Sequence, residues 1–455
     1  MPGEYQIKSF RGGKSEYTDK GVSGSFKSGS NLNIRTETDV LQANQALKDD
    51  DGGIVTDLIK FWVKGTDGHM YGFGDTGKIY QRNSSTGVYS LKYTDPDGEI
   101  RGASMWFNPT TNYIYWSTST KLHRKELPGL SNWTDVDADA SWPKINLSST
   151  DYHTMAQANG SLMICNKDFL AMVGYDDSYT NEALNLFPGL TSKTLIERNN
   201  QVIIGAGDDD SQSYLFTWEQ TALSWINKHK IPVKNINAIA DAEILTMHGG
   251  DDKLYFTNMV DNMPIMTMDG EVNPNGVAED EGLALYGVYG GDNTGVWSYG
   301  RKRRNGVYAL NLEYGVTADE IGAIYKLGED LLVSFKNGSD YGVLHIDTSN
   351  KADAEYISLD LKSPHKYAQI TNWEKVDLIT DAIPTDCGIE VQYRTDRNTG
   401  SWIAAQTADG STEVTEGINP TFFINSNGKI IEVKIKLNVS GNTTPTIHEW
   451  YLSFN

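Results

Sequence analysis

The stretch "KFWVKGTDGHMYGFGDTGKIYQRN", residues 60–83, divides into three short apolar runs separated by two tight turns. Phe61 to Val63 is the first run, Met70 to Phe73 the second and Lys78 to Tyr80 the third. Thr66-Asp67-Gly68 and Asp75-Thr76-Gly77 lie between them. Each turn ends on a glycine, which accepts the positive φ of a tight hairpin without a Cβ penalty. A meander this small cannot bury its own apolar face. Copies of it could cover one another.

Such units recur along the chain. Their second strands are expected at Met70-Tyr71, Ile114-Tyr115, Leu162-Met163, Val202-Ile203, Leu254-Tyr255, Val296-Trp297 and Leu331-Leu332. The spacings are 44, 48, 40, 52, 42 and 35 residues, in the range of one four-stranded propeller blade. In the sixth unit either Val296–Tyr299 or Val307–Leu310 could serve as the second strand. The expected body is therefore an all-β propeller of seven blades, with six as the alternative, over residues 51–364.

The flanks read differently. Residues 1–50 are rich in Gly, Ser and Lys with isolated aromatics at Tyr5, Phe10, Tyr17 and Phe26, as expected of an extended arm anchored on something else. "VLQANQALKDD" at 40–50 could add a short helix. Beyond Pro364, "IEVKIKLNV" at 431–439 alternates strictly. Ile431, Val433, Ile435, Leu437 and Val439 should face inward and Glu432, Lys434, Lys436 and Asn438 outward. With "GIEVQYR" at 388–394 and "IHEWYLSFN" at 447–455, this predicts half-buried antiparallel strands and a β-sandwich over 365–455.

Composition supports a folded β protein: 38% of the 455 residues are hydrophobic and 11% aromatic, with 44 glycines against 13 prolines. The formal net charge of −21 argues against a nucleic-acid reader. It would suit a wall past which a polyanion slides without sticking. Cys165 and Cys387 are the only cysteines and suggest neither a disulfide framework nor a zinc site. The opening lacks the apolar core of a signal peptide and no run of 18 apolar residues exists. The expectation is synthesis in a cytoplasm, with the sequons at Asn83, Asn132, Asn146, Asn159, Asn337, Asn438 and Asn442 left bare.

No nucleophile elbow, P-loop, H-E-x-x-H or Cys-x-x-Cys occurs in the sequence. No catalytic, cofactor-binding or metal-binding residue is therefore assigned, and the expectation is a protein that is not an enzyme. His69, His153 and His248 fall near turns and read as structural. Asp135-Val136-Asp137-Ala138-Asp139 starts like a calcium loop, but Ala140 and Asn146 stand where glycine and a bidentate glutamate belong. It reads as an acidic turn. Asp49-Asp50-Asp51 and Asp208-Asp209-Asp210 read as exposed loop charges. "GRKRRNG" at 300–306 is the one basic cluster.

The segments "YQIKSFRGGKSEYTDKGVSGSFKSGSNLNIRTETDVLQANQALK", "VQYRTDRNTGSWIAA" and "GKIIEVKIKLNVSGNTTPTIHEWYLSF" resemble the two ends of tail-associated structural proteins of tailed bacteriophages. The resemblance implies a noncatalytic virion protein of the tail, a nozzle or adaptor-proximal component. Its partners would be copies of itself in a ring, taken as hexameric, and other tail or adaptor proteins, with genomic DNA passing unbound. It implies no cofactor and no membrane anchor. The alternative is a propeller that binds or cleaves carbohydrate at a host surface, with Trp116, Trp218 and Trp297 stacking on sugar rings.

Overall fold

The computed structural model describes residues 3–35, 39–107, 110–128, 133–148, 151–208, 210, 212–220, 224–257, 262–291, 293–302, 306–363, 370–397 and 400–455. Among these residues every regular element is a β-strand. The chain opens into four-stranded antiparallel sheets taken in order. The first is Ile59–Lys64, Met70–Gly74, Lys78–Arg82 and Tyr89–Thr94. The second runs from Gly102–Phe107 to Lys144–Ile145, the third from Met155–Ala158 to Tyr179–Asn185, and the fourth from Thr191–Arg198 to Asn227–Ile231. The fifth runs from Ile236–Asp241 to Asn262–Thr267 and the sixth from Glu271–Asp280 to Ala309–Gly315. The seventh has the order Glu320–Leu327, Asp330–Asn337, Asp340–Lys351, Gln45–Asp49. The segment expected to add a helix thus supplies an edge strand, because the open ladder of that sheet offers backbone partners that a lone turn of helix does not.

By Cα packing the chain forms two compact units. One comprises Asp49–Gly295 and Thr317–His345. Within it the first strands of successive sheets touch in cyclic order, and Glu320–Leu327 returns to lie against Ile59–Lys64. Separate apolar clusters fill the spaces between neighbouring sheets. Phe73 and Ile79 of the first sheet meet Ile114 and Trp116 of the second. Tyr115 and Leu122 meet Leu162 and Ile164 of the third. Cys165 and Leu170 meet Val202 and Ile204 of the fourth. Ile203 and Leu215 meet Ile239 and Met247 of the fifth. Leu332 and Val343 of the seventh close onto Ile59 and Trp62 of the first. At these junctions each sheet is covered by its neighbour, and the first strands of the fifth, sixth and seventh sheets also touch in turn, which is the arrangement of a β-propeller.

Two of the strand assignments made on apolar pairs shift. Leu254-Tyr255 lies on the third strand of its sheet, Lys253–Thr257, after a second strand at Leu245–Gly249. Val296-Trp297 likewise lies on the third strand, Gly295–Gly300, after Leu283–Tyr289, while Val307 precedes the fourth. These shifts account for the long step of 52 into the fifth unit and the short step of 35 out of the sixth.

The other unit comprises Met1–Lys48, Val296–Val316 and Ile346–Asn455. It contains a sheet of Gly3–Ile7, Ile447–Phe454, Thr371–Thr380 and Thr421–Gly428 and a larger sheet built on Gly388–Thr395, Ile430–Asn438, Ala354–Ile357 and Ser28–Ser30. Both contribute to one core. In it Trp373, Val376, Trp450 and Leu452 meet Ile389, Val391, Ile431, Val433, Ile435 and Leu437.

Three expectations about this unit are corrected. The arm expected over residues 1–50 is not anchored on something else: Phe10, Phe26, Leu32, Ile34, Leu41 and Ala43 are buried in that same core beside Tyr356, Trp373 and Trp450. The aromatics that looked like anchors grip the chain's own C-terminal strands, and only Tyr17 stays largely exposed. The core also takes in Ala354 and Tyr356, so the unit begins before the expected boundary near Pro364, which lies outside the described residues. Glu432, expected to face outward, is fully buried. It accepts hydrogen bonds from Lys27 and Arg394, and Lys27 also reaches Asp360 at 3.2 Å.

Candidate functional site

The first strands of the propeller sheets converge on a polar cavity of about 410 Å³, lined in part by Glu99, Arg101, Lys193, Glu271 and Tyr289. Asn273, which lines it, is hydrogen-bonded to both members of the Lys60–Glu320 ion pair. Tyr152 donates to Asn273 Oδ1 at 3.3 Å. Burial works against the Lys60 ammonium, but Tyr152 and Glu320 outweigh it and hold the pKa above the ordinary lysine value. Burial pushes Tyr152 upward as well. Arg101 is held by Glu99 at 2.7 Å. Among the described residues lining the cavity there is no serine, cysteine or histidine, and the wall presents carboxylates, Arg101, Lys193 and two phenols.

A second constellation lies between the first and second sheets. The turn Asp95-Pro96-Asp97-Gly98 follows the strand Tyr89–Thr94, and Gly98 takes a φ of +87° there. His123 stands on the strand Lys121–Leu127. One ligand atom each from Asp95, Asp97 and His123 lie within 4.8 Å of one another. His123 Nε2 is 3.4 Å from Asp97 Oδ2 and 3.9 Å from Asp95 Oδ2. Its Nδ1 is 2.7 Å from Asp137 Oδ2. Trp116 stacks on the imidazole at 5.6 Å and donates its indole N–H to Asp95 Oδ2 at 2.7 Å.

The acidic turn at 135–139 spends its carboxylates on this strand. Asp135 pairs with Lys125, Asp137 with His123 and Asp139 with Arg124. Alternate carboxylates meet successive basic side chains, so the turn does not converge on a cation of its own. Sequence reasoning noticed the carboxylates and missed their partners, because the partners precede them by 10 to 15 residues in no recognised motif.

Other residues singled out in the sequence take structural places. Asp50 receives Arg82 through two hydrogen bonds and the Tyr89 hydroxyl through a third. Asp51 is buried and accepts from the backbone N–H groups of Val55 and Val343. Neither is the exposed loop charge expected, because Arg82 and Tyr89 draw in Asp50 and two backbone donors draw in Asp51. Asp208 accepts from the N–H groups of Asp210 and Gln212, and Asp209 lies outside the described residues. His69 accepts from Ser84 N–H, while His153 and His248 are buried. Trp116, Trp218 and Trp297 are 0%, 3% and 2% exposed, so none offers a face to a sugar. Of the basic cluster, Arg301 and Lys302 line a small cavity with Arg11 and Arg35, and Arg303 and Arg304 lie outside the described residues.

No family model matches the chain, and no curated protein matches it. Among solved structures it is similar to a streptogramin B lyase, with a TM-score of 0.48 and 10% identity over 66% of this chain and 97% of that one. It is also similar to a chain of a mitotic checkpoint complex, with a TM-score of 0.46 and 12% identity over 67% and 92%. A third likeness is to the extracellular domain of a one-component system from B. thetaiotaomicron, with a TM-score of 0.47 and 12% identity over 80% and 45%. None of these bears on what this chain does.

Proposed function

We propose that the chain is a noncatalytic structural protein of a bacteriophage tail, a nozzle or adaptor-proximal component that assembles as a ring around the DNA channel. Its body is a seven-bladed propeller, one blade for each of the seven consecutive four-stranded sheets that begin at Ile59–Lys64, and the two sheets around Trp373 and Trp450 form a β-sandwich. The observation that carries this reading is the union of the chain's ends. The segments that resemble tail proteins lie some 340 residues apart in sequence, yet both belong to one compact unit with one core. A net charge of −21 suits a channel wall, because each Lys or Arg held on a phosphate would add a salt-sensitive attraction.

Electron microscopy and mass photometry of the purified protein, with mass spectrometry of virions, test this reading. Closed rings and a virion-borne protein are expected. A stable monomer absent from virions would overturn it.

A further inference from the structure

We propose that Asp95, Asp97 and His123 bind one divalent metal ion of the zinc class, which ties the turn after the first propeller sheet to the third strand of the second. The argument starts from His123. Its side chain is 7% exposed, and its Nδ1 is committed to Asp137 at 2.7 Å. Its Nε2 turns toward the carboxylates of Asp95 and Asp97, 3.9 and 3.4 Å away. One ligand atom from each of the three residues lies within 4.8 Å of the others, close enough for one cation to bridge them. The Thr118 hydroxyl is 3.5 Å from Nε2, too far for a good hydrogen bond.

The spacing fits a small cation. Bonds of about 2.0–2.1 Å in tetrahedral geometry place ligand atoms about 3.3 Å apart, against 3.4 and 3.9 Å from Nε2 to the two carboxylates. Two carboxylates and a neutral imidazole balance a divalent charge. The surroundings orient the ligands as metal sites require. Asp137 fixes the imidazole, and the Trp116 indole holds Asp95. Lys121 lies on Asp97 at 2.8 Å and competes for it. Asp97 is 30% exposed, so the ion can enter from solvent.

The full chain is dialysed against Zn²⁺, then against metal-free buffer, and its retained metal is measured. Co²⁺ titration supplies a spectrum that reports tetrahedral N/O ligation. The expected result is one retained ion per chain and a tetrahedral Co²⁺ band. Asp97→Asn should abolish retention, and Asp137→Asn should weaken affinity about 10–100-fold. Lys121→Met should tighten binding, whereas in a metal-free ion-pair network it would only remove a partner. Circular dichroism of each variant confirms folding, which the partly exposed Asp97 and Lys121 favour. No retained metal, or equal affinity in the wild type, Asp97→Asn and Asp137→Asn, would overturn the proposal.

Discussion

Gly322 lies so close to Ile59 that a Cβ on it would stand 2.2 Å from the Ile59 carbonyl oxygen. The seventh sheet meets the first at this point, where the cycle of first strands closes. No side chain fits without moving backbone. Gly322→Ala should therefore destabilise the propeller by about 1–3 kcal/mol, the usual cost of overpacking. Gly315→Ala, whose Cβ would meet only Asn31 Oδ1 at 3.4 Å and Nδ2 at 4.0 Å, should stay within about 0.5 kcal/mol. Urea unfolding of both variants checks the contrast, and equal midpoints would show that the close approach is not retained.

The N-terminal segment yields the next expectation. Phe26 is 1% exposed and packs its ring 5.7 Å from that of Tyr356. Phe26→Ala should cost about 3–5 kcal/mol. Deleting residues 1–35 should abolish the near-ultraviolet signal of Trp373 and Trp450 while the far-ultraviolet β signal of the propeller persists. Unchanged tryptophan signals would return the segment to the status of an arm anchored elsewhere.

What the sequence disclosed follows from these contacts. The turns at Gly68 and Gly77 were legible because only glycine takes their φ of +84° and +90° easily. Strand order within a unit was not. Met70–Gly74 and Leu245–Gly249 are buried at every position, so no alternation distinguishes a second strand from a third. The strand Ile430–Asn438 did alternate, and its apolar residues were placed correctly. Glu432 escaped the rule because its partners stand at positions 27 and 394, which periodicity cannot bring together. His123 was missed for the same reason, since Asp95, Asp97 and Asp137 approach it from a turn and a loop.

The Glu432 network should respond to both mutation and acid. Lys27 holds two carboxylates, Asp360 and Glu432, that are wholly inaccessible to solvent. Lys27→Met would leave both buried with one cation fewer, and loss of one partner from such a pair costs about 3–5 kcal/mol. Burial raises the Glu432 pKa, but hydrogen bonds from Arg394 and Lys27 overcome it and leave the value below 4.5. A depressed carboxylate contributes stability above its unfolded pKa and loses it as pH falls through the folded value. Unfolding of the unit that contains Trp373, followed by tryptophan fluorescence, should thus become easier below about pH 4.5 in the wild type and less pH-dependent in Lys27→Met.

The propeller should be sensitive to acid at a higher pH, through two buried histidines. Burial lowers both His153 and His248 from 6.5 to about 4. His153 donates its Nε2–H to the Ser148 carbonyl at 2.6 Å, which favours the charged ring, but burial outweighs it and the folded state holds the neutral ring. Between pH 6.5 and 4 the unfolded chain binds protons that the folded chain refuses, and stability rises with pH across that window. Read downward, stability present above pH 6.5 is lost progressively toward pH 4, by about 3 kcal/mol for each histidine. Glutamine at position 153 can still donate to Ser148 and does not titrate. Urea unfolding of the wild type and His153→Gln at about pH 7.5, 6 and 5 should therefore give curves that converge as the pH falls, with the variant losing less stability. Parallel loss in the two proteins would show that His153 takes up its proton without unfolding the sheets around it.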